Sequence, residues 1–121
     1  MAQFEVQGRS TDTFGRVLLS ARNHHFVADG PTQNGCPGEA ITPVELFLAS
    51  IAACGVELLQ VIARKKKMPL QAASVAISGM VDRNNQMRSD FTLFNSIRLQ
   101  FHLQGVTDAQ GAELIAAFQG R

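Results

Sequence analysis

The sequence predicts an α+β fold, with antiparallel strands toward both ends of the chain and one long apolar helix between them. Three observations carry that prediction. Ile97, Leu99, Phe101 and Leu103 alternate with Arg98, Gln100, His102 and Gln104, the period-two pattern of a strand with one buried and one wet face. Thr42-Pro43-Val44-Glu45 reads as an N-cap threonine, a proline at the first helical position and a glutamate at the third, so threonine and glutamate each bond one otherwise unpaired backbone N–H. Between Gly30 and Gly38 the run Gly-Pro-Thr-Gln-Asn-Gly-Cys-Pro-Gly excludes regular structure and separates strands from helix.

Taken in order, residues 3–30 read as two or three antiparallel strands. Phe4-Glu5-Val6 alternates, Val17-Leu18-Leu19 follows a Phe14-Gly15 turn, and His25-Phe26-Val27 follows the polar step Arg22-Asn23-His24. A loop over 30–41 is long enough to line a site. The helix is expected over 42–67. From Leu46 to Ala63 it is apolar or small nearly all round, broken by Ser50, Glu57 and Gln60, so it needs cover on most sides. Ala49, Ser50, Ala52, Ala53 and Gly55 permit another backbone, such as that of a twin subunit, to come close. Strands are expected over 72–106, through Val75 and Ile77, a polar turn at Asp82-Arg83-Asn84-Asn85, and the alternating run above. Thr107-Asp108-Ala109-Gln110 repeats the capping pattern and opens a short helix over 107–119.

With 121 residues the chain suits a single domain with a real core. A charged fraction of 17% beside 45% hydrophobic residues is low for a monomer, which suggests that a partner chain covers part of the surface. A net charge of +1 gives no field to recruit nucleic acid or an anionic membrane. The basic run Arg64-Lys65-Lys66-Lys67 complements the negative end of the helix dipole. A membrane span is not expected from the apolar helix, because a charge at its centre would cost about 2.5–3.5 kcal/mol in lipid. Met1-Ala2-Gln3-Phe4-Glu5 lacks the basic and apolar regions of a secretory signal, so a cytoplasmic location is the expectation.

Cys36 and Cys54 are too few for a disulfide framework and lack zinc-site spacing; neither a metal nor another cofactor is expected. Cys54 lies about 18 Å along the helix from its start, too far for a bond to Cys36, whose Cα would have to approach within about 7 Å, unless the loop folds back or a partner chain intervenes. A cysteine in an apolar helix is ordinarily a small core residue. For Cys54 to be reactive it needs a cation from elsewhere, since it stands far from the helix N-terminus and Glu57 follows one turn on. Arg9, Arg16 and Arg22 are the candidates, with Arg22 favoured because it adjoins His24-His25 and the loop. His24 and His25 point to opposite faces of an extended strand and cannot share one metal. Cys36, in the glycine and proline loop, is expected to be the more exposed thiol.

Two stretches, Arg22-Asn23-His24-His25-Phe26-Val27-Ala28-Asp29-Gly30-Pro31 and Thr42-Pro43-Val44-Glu45-Leu46-Phe47-Leu48-Ala49-Ser50-Ile51-Ala52-Ala53-Cys54, resemble the OsmC/Ohr family of peroxide-resistance proteins, and the likeness continues to the last helix. The resemblance implies an intertwined homodimer with sheets outside and the cysteine-bearing helices in the middle. It implies further that Cys54, as thiolate, attacks the O–O bond of an organic hydroperoxide and becomes a sulfenic acid. An arginine, Arg22 or Arg16, would stabilise the thiolate, and an acid, for which Glu45 is the candidate, would orient it. Two departures stand out. The acidic position of the hydroperoxide-resistance branch falls on Val44, while Glu45 also serves the cap. The family's second cysteine follows the helix that begins here at Thr107, and no counterpart precedes Arg121. An external thiol reductant or Cys36 would then complete the cycle. The alternative is a non-enzymatic stress protein binding a small apolar ligand.

Overall fold

In a computed structural model, residues 2–89, 92 and 94–119 are described. They form two compact units, Met1–Phe47 and Leu48–Arg121.

The first unit is a three-stranded antiparallel sheet in the order β1 (Gln7–Ser10), β2 (Arg16–Ala21), β3 (His24–Asp29). The two-residue link Arg22-Asn23 sets the β2–β3 register, Ala21 opposite His24 and so outward to Arg16 opposite Asp29. Gly15 turns the chain into β2 with φ 81°, and Gly30 N–H donates to its carbonyl at 2.8 Å. The first strand starts later than the Phe4-Glu5-Val6 alternation predicts. Gln7 already pairs with Ser20 and β2 ends one residue on, so residues before Gln7 have no ladder to join. Past β3 the chain makes a 3₁₀ turn at Thr32–Asn34 and returns along Asp29, whose N–H donates to the Ile41 carbonyl at 3.0 Å.

The long helix α1 runs over Pro43–Lys65. Its start is the predicted capping box: Glu45 N–H donates to Thr42 Oγ1 at 3.3 Å, and Thr42 N–H donates to Glu45 Oε1 at 3.0 Å. Its end has a specific cause. Lys67 is left-handed, φ 55°; its N–H donates to the Arg64 carbonyl at 3.2 Å and Met68 N–H to the Ala63 carbonyl at 2.8 Å. This is a Schellman closure, so Lys66 and Lys67 lie in the turn rather than the helix.

In the second unit β4 (Ala72–Met80) pairs antiparallel with β5 (Ser96–Gln104), Val75 opposite Phe101 and Ile77 opposite Leu99. The predicted alternation is realised, with Ile97, Leu99, Phe101 and Leu103 half-buried and His102 exposed. A second helix, α2 (Asp108–Gln119), opens on Thr107, whose Oγ1 accepts from Gln110 N–H at 3.1 Å while its own N–H donates to Gln110 Oε1 at 3.0 Å. Leu59, Ile62, Ala63 and Leu114 form the core, with Phe101, Leu103 and Phe118 packed against it. Only Gly55, Leu59, Ile62 and Ala63 of α1 are buried. One two-stranded sheet and one short helix cover a single face, so the cover on most sides that its apolar circumference requires is not supplied by the described residues of this chain.

Candidate functional site

Cys54 sits midway along α1 and is exposed. Ser50, Ile51 and Leu58 share its face, because positions one helical turn apart stack above one another. Together with Phe118 and Gln119 from the end of α2 they line a depression of about 490 Å³. The end of α2 reaches this place for a local reason. The residue after Cys54 is Gly55, and a Cβ there would meet Phe101 at 3.2 Å and Phe118 at 3.5 Å. The bare backbone lets both rings close over it, and Phe118 stands edge-on to Phe101 with centroids 5.6 Å apart. Among the described residues none that lines the depression is cationic, so a charge that holds the thiol as thiolate has to come from outside this lining. Glu57 lines a different depression, with Gln60, Val61 and Arg64.

The first unit holds a separate charged cluster. Arg16 donates from Nε to Asp29 Oδ1 at 2.7 Å and from Nη2 to Asp29 Oδ2 at 2.9 Å. Its Nη2 also meets Glu39 Oε1 at 2.9 Å. Asp29 has no solvent-exposed surface, and both of its oxygens are engaged, the N–H groups of Glu39 and Ala40 adding two donors to Oδ2, each at 2.9 Å. The paired guanidinium, reinforced by those two amides, holds the Asp29 carboxyl well below the ordinary carboxylate range. The same bonds to Asp29 and then Glu39 raise Arg16 above its usual value.

The expected site residues are therefore divided. Cys54 lies in the second unit. Arg22 occupies the exposed β2–β3 turn with φ 56°. Glu45 is engaged in the helix cap, and the Thr42 backbone N–H and then its hydroxyl lower its pKa. Cys36, half-buried rather than the more exposed thiol, packs where side chains on Gly15 or Gly30 would stand. His25 Nδ1 lies 2.8 Å from Ser20 Oγ, its cross-strand neighbour. Sequence reasoning missed Asp29 and Glu39. The signal for Asp29 was present: counting outward from the Arg22-Asn23 turn puts residue 29 opposite residue 16.

The family model for OsmC-like proteins matches residues 36–119, well over half of the chain. No curated protein matches it. Among solved structures, an OsmC-like protein from Mycoplasma pneumoniae is 13% identical with a TM-score of 0.83, covering 99% of this chain and 82% of that one. An organic hydroperoxide resistance protein OsmC from Legionella pneumophila is 19% identical with a TM-score of 0.73, covering 99% and 84%. One from Elizabethkingia anophelis described as an organic hydroperoxide resistance protein is 16% identical with a TM-score of 0.76, covering 99% and 83%. At these identities the likeness establishes a shared fold.

Proposed function

Since the chain belongs to the OsmC-like family, we propose that it reduces organic hydroperoxides through Cys54, in the cytoplasm, as a homodimer and with an external thiol as reductant. The observation that carries this reading is the setting of Cys54: an exposed thiol in a depression walled by Ile51, Leu58 and Phe118. A thiol used only for packing needs no opening, whereas a nucleophile needs access for its substrate. Apolar walls suit the organic part of an alkyl hydroperoxide. The names of the Legionella and Elizabethkingia neighbours point the same way. Although α1 is long and apolar enough by composition to cross a bilayer, its place in an OsmC-like domain identifies it as the central helix of that fold.

In the proposed reaction the Cys54 thiolate forms an S–O bond with the terminal oxygen of the hydroperoxide as the O–O bond breaks. Sulfur is oxidised to a sulfenic acid and the alkoxide leaves as an alcohol after taking a proton from water. One external thiol then condenses with the sulfenic acid, releasing water, and a second liberates the Cys54 thiol as a disulfide forms between the two reductant sulfurs. For the cation that holds the thiolate, Arg22 remains a candidate, and Arg16 has the stronger support. Two carboxylates orient Arg16, which is the arginine-and-acid arrangement the family resemblance implies, with Asp29 and Glu39 in the role expected of Glu45.

The test is the rate at which tert-butyl hydroperoxide converts Cys54 to a sulfenic acid, followed by dimedone trapping and peptide mass spectrometry. The expected rate exceeds that of free cysteine and vanishes in Cys54→Ser. Arg16→Ala should lower it by roughly tenfold to a hundredfold, as loss of a charge-stabilising donor does, with Arg22→Ala near wild type; the reverse ranking would restore Arg22. Absence of any sulfenic acid on Cys54 would favour the second reading, a binding protein whose same apolar depression holds a small ligand.

A further inference from the structure

The depression around Cys54 has one feature that neither the helix cap nor the core explains. Among the described residues that line it, Ser50, Cys54 and Gln119 are the polar ones. Gln119 is the last residue of α2. It is brought there by Phe118, which rests on Gly55, immediately after Cys54. Among the described residues nothing hydrogen-bonds the Gln119 carboxamide, so a lining residue of the thiol's own depression has both N–H donors unengaged.

We propose that Gln119 is a catalytic hydrogen-bond donor of the Cys54 site, its side-chain N–H meeting the oxygen that departs when the hydroperoxide O–O bond breaks. The proposal rests on the reading of Cys54 as the nucleophile. As sulfur bonds to the terminal oxygen, negative charge accumulates on the leaving alkoxide oxygen. Apolar walls do nothing for that charge, and a carboxamide N–H aimed at it lowers the barrier. Gln119 gives up no proton; the alkoxide takes one from water. Gly55 and Phe118 are positioning residues, acting through where they hold the end of α2.

The experiment compares full-length wild type, Gln119→Leu and Gln119→Glu in two reactions of Cys54, each read at the Cys54 peptide by mass spectrometry. The first is sulfenic acid formation with tert-butyl hydroperoxide; the second is alkylation by iodoacetamide. Alkylation needs the same thiolate but expels iodide, which a carboxamide does little to assist. Gln119→Leu is expected to slow the peroxide reaction about tenfold, below the roughly hundredfold or greater loss of a donor in an enclosed oxyanion site, because Gln119 is exposed. Gln119→Glu keeps the shape without the donors and should be slower still, its carboxylate opposing the alkoxide. Alkylation should stay unchanged in Gln119→Leu, and in Gln119→Glu, whose carboxylate also disfavours the thiolate, it should slow less than the peroxide reaction does.

Equal slowing of both reactions in Gln119→Leu would assign Gln119 a structural role and overturn the proposal, as would a peroxide rate unaffected by that substitution. A wild-type protein that forms no sulfenic acid while Cys54 alkylates normally would overturn the nucleophile reading, and the proposal with it. That outcome differs from a wild type that reacts with peroxide as fast as Gln119→Leu, in which only the donor role fails.

Discussion

Asp29 is the residue on which the first unit's charged cluster depends. It faces Arg16 across the β2–β3 ladder and collects donors from both that guanidinium and the returning loop. Its pKa is lowered on folding, so the ionised form stabilises the folded state above the unfolded value of about 3.9, and that contribution is lost progressively as pH falls below it. Asp29→Asn should therefore be less stable than wild type at neutral pH, with the gap narrowing below about pH 4. Urea unfolding at pH 7 and pH 3 reads this directly, and a gap of equal size at both would contradict it. Cys54 itself shows how little a single residue says alone: its opening is made by neighbours one turn away and by a ring from another helix.

Among the elements, α1 has the most legible boundaries. Its start uses Thr42 and Glu45 as the sequence indicates. Its end falls short of the expected 67 because the Schellman turn places Lys67 at the left-handed position where glycine is favoured. A side chain there costs about 1–2 kcal/mol relative to glycine, partly offset by glycine's greater freedom in the unfolded chain. Lys67→Gly is expected to stabilise the protein by about 0.5–1 kcal/mol. The midpoint of urea unfolding should rise with no change in slope; a lower midpoint would mean that the basic side chain matters more than backbone strain. The Met68 side chain packs on the core cluster, the apolar contact that commonly accompanies this closure.

At the scale of the whole molecule, what stands out is how little of α1 this chain covers. Val44 is 55% and Phe47 52% exposed on its first turns. In the first unit Phe14 is 75% exposed and, among the described residues, only Ala28 and Asp29 are buried. A unit of that size rarely holds its fold without further burial, and exposed apolar side chains in such number suit an interaction surface. The proposed homodimer accounts for both. Sedimentation equilibrium at micromolar concentration should give twice the 13.1 kDa chain mass; a single species of 13.1 kDa would remove the dimer and leave the exposed helix without explanation.

Local chemistry determined much of this protein from sequence alone. Both helix starts, the strand alternation from Ile97 to Leu103 and the loop at Gly30-Pro31 depend on residues within a few positions of one another, so periodicity and capping rules reach them. Cys54 was legible as a candidate through its family motif. The tertiary structure decided what depends on pairs distant in the chain: that Arg16 rather than Arg22 is held by acids, that Asp29 and Glu39 hold it, and that Gln119 shares a depression with Cys54. The physical reason is that an ion pair or a pocket is created by register and packing, which join residues 13 or 65 positions apart, whereas caps and periodicity operate within a turn or two of backbone.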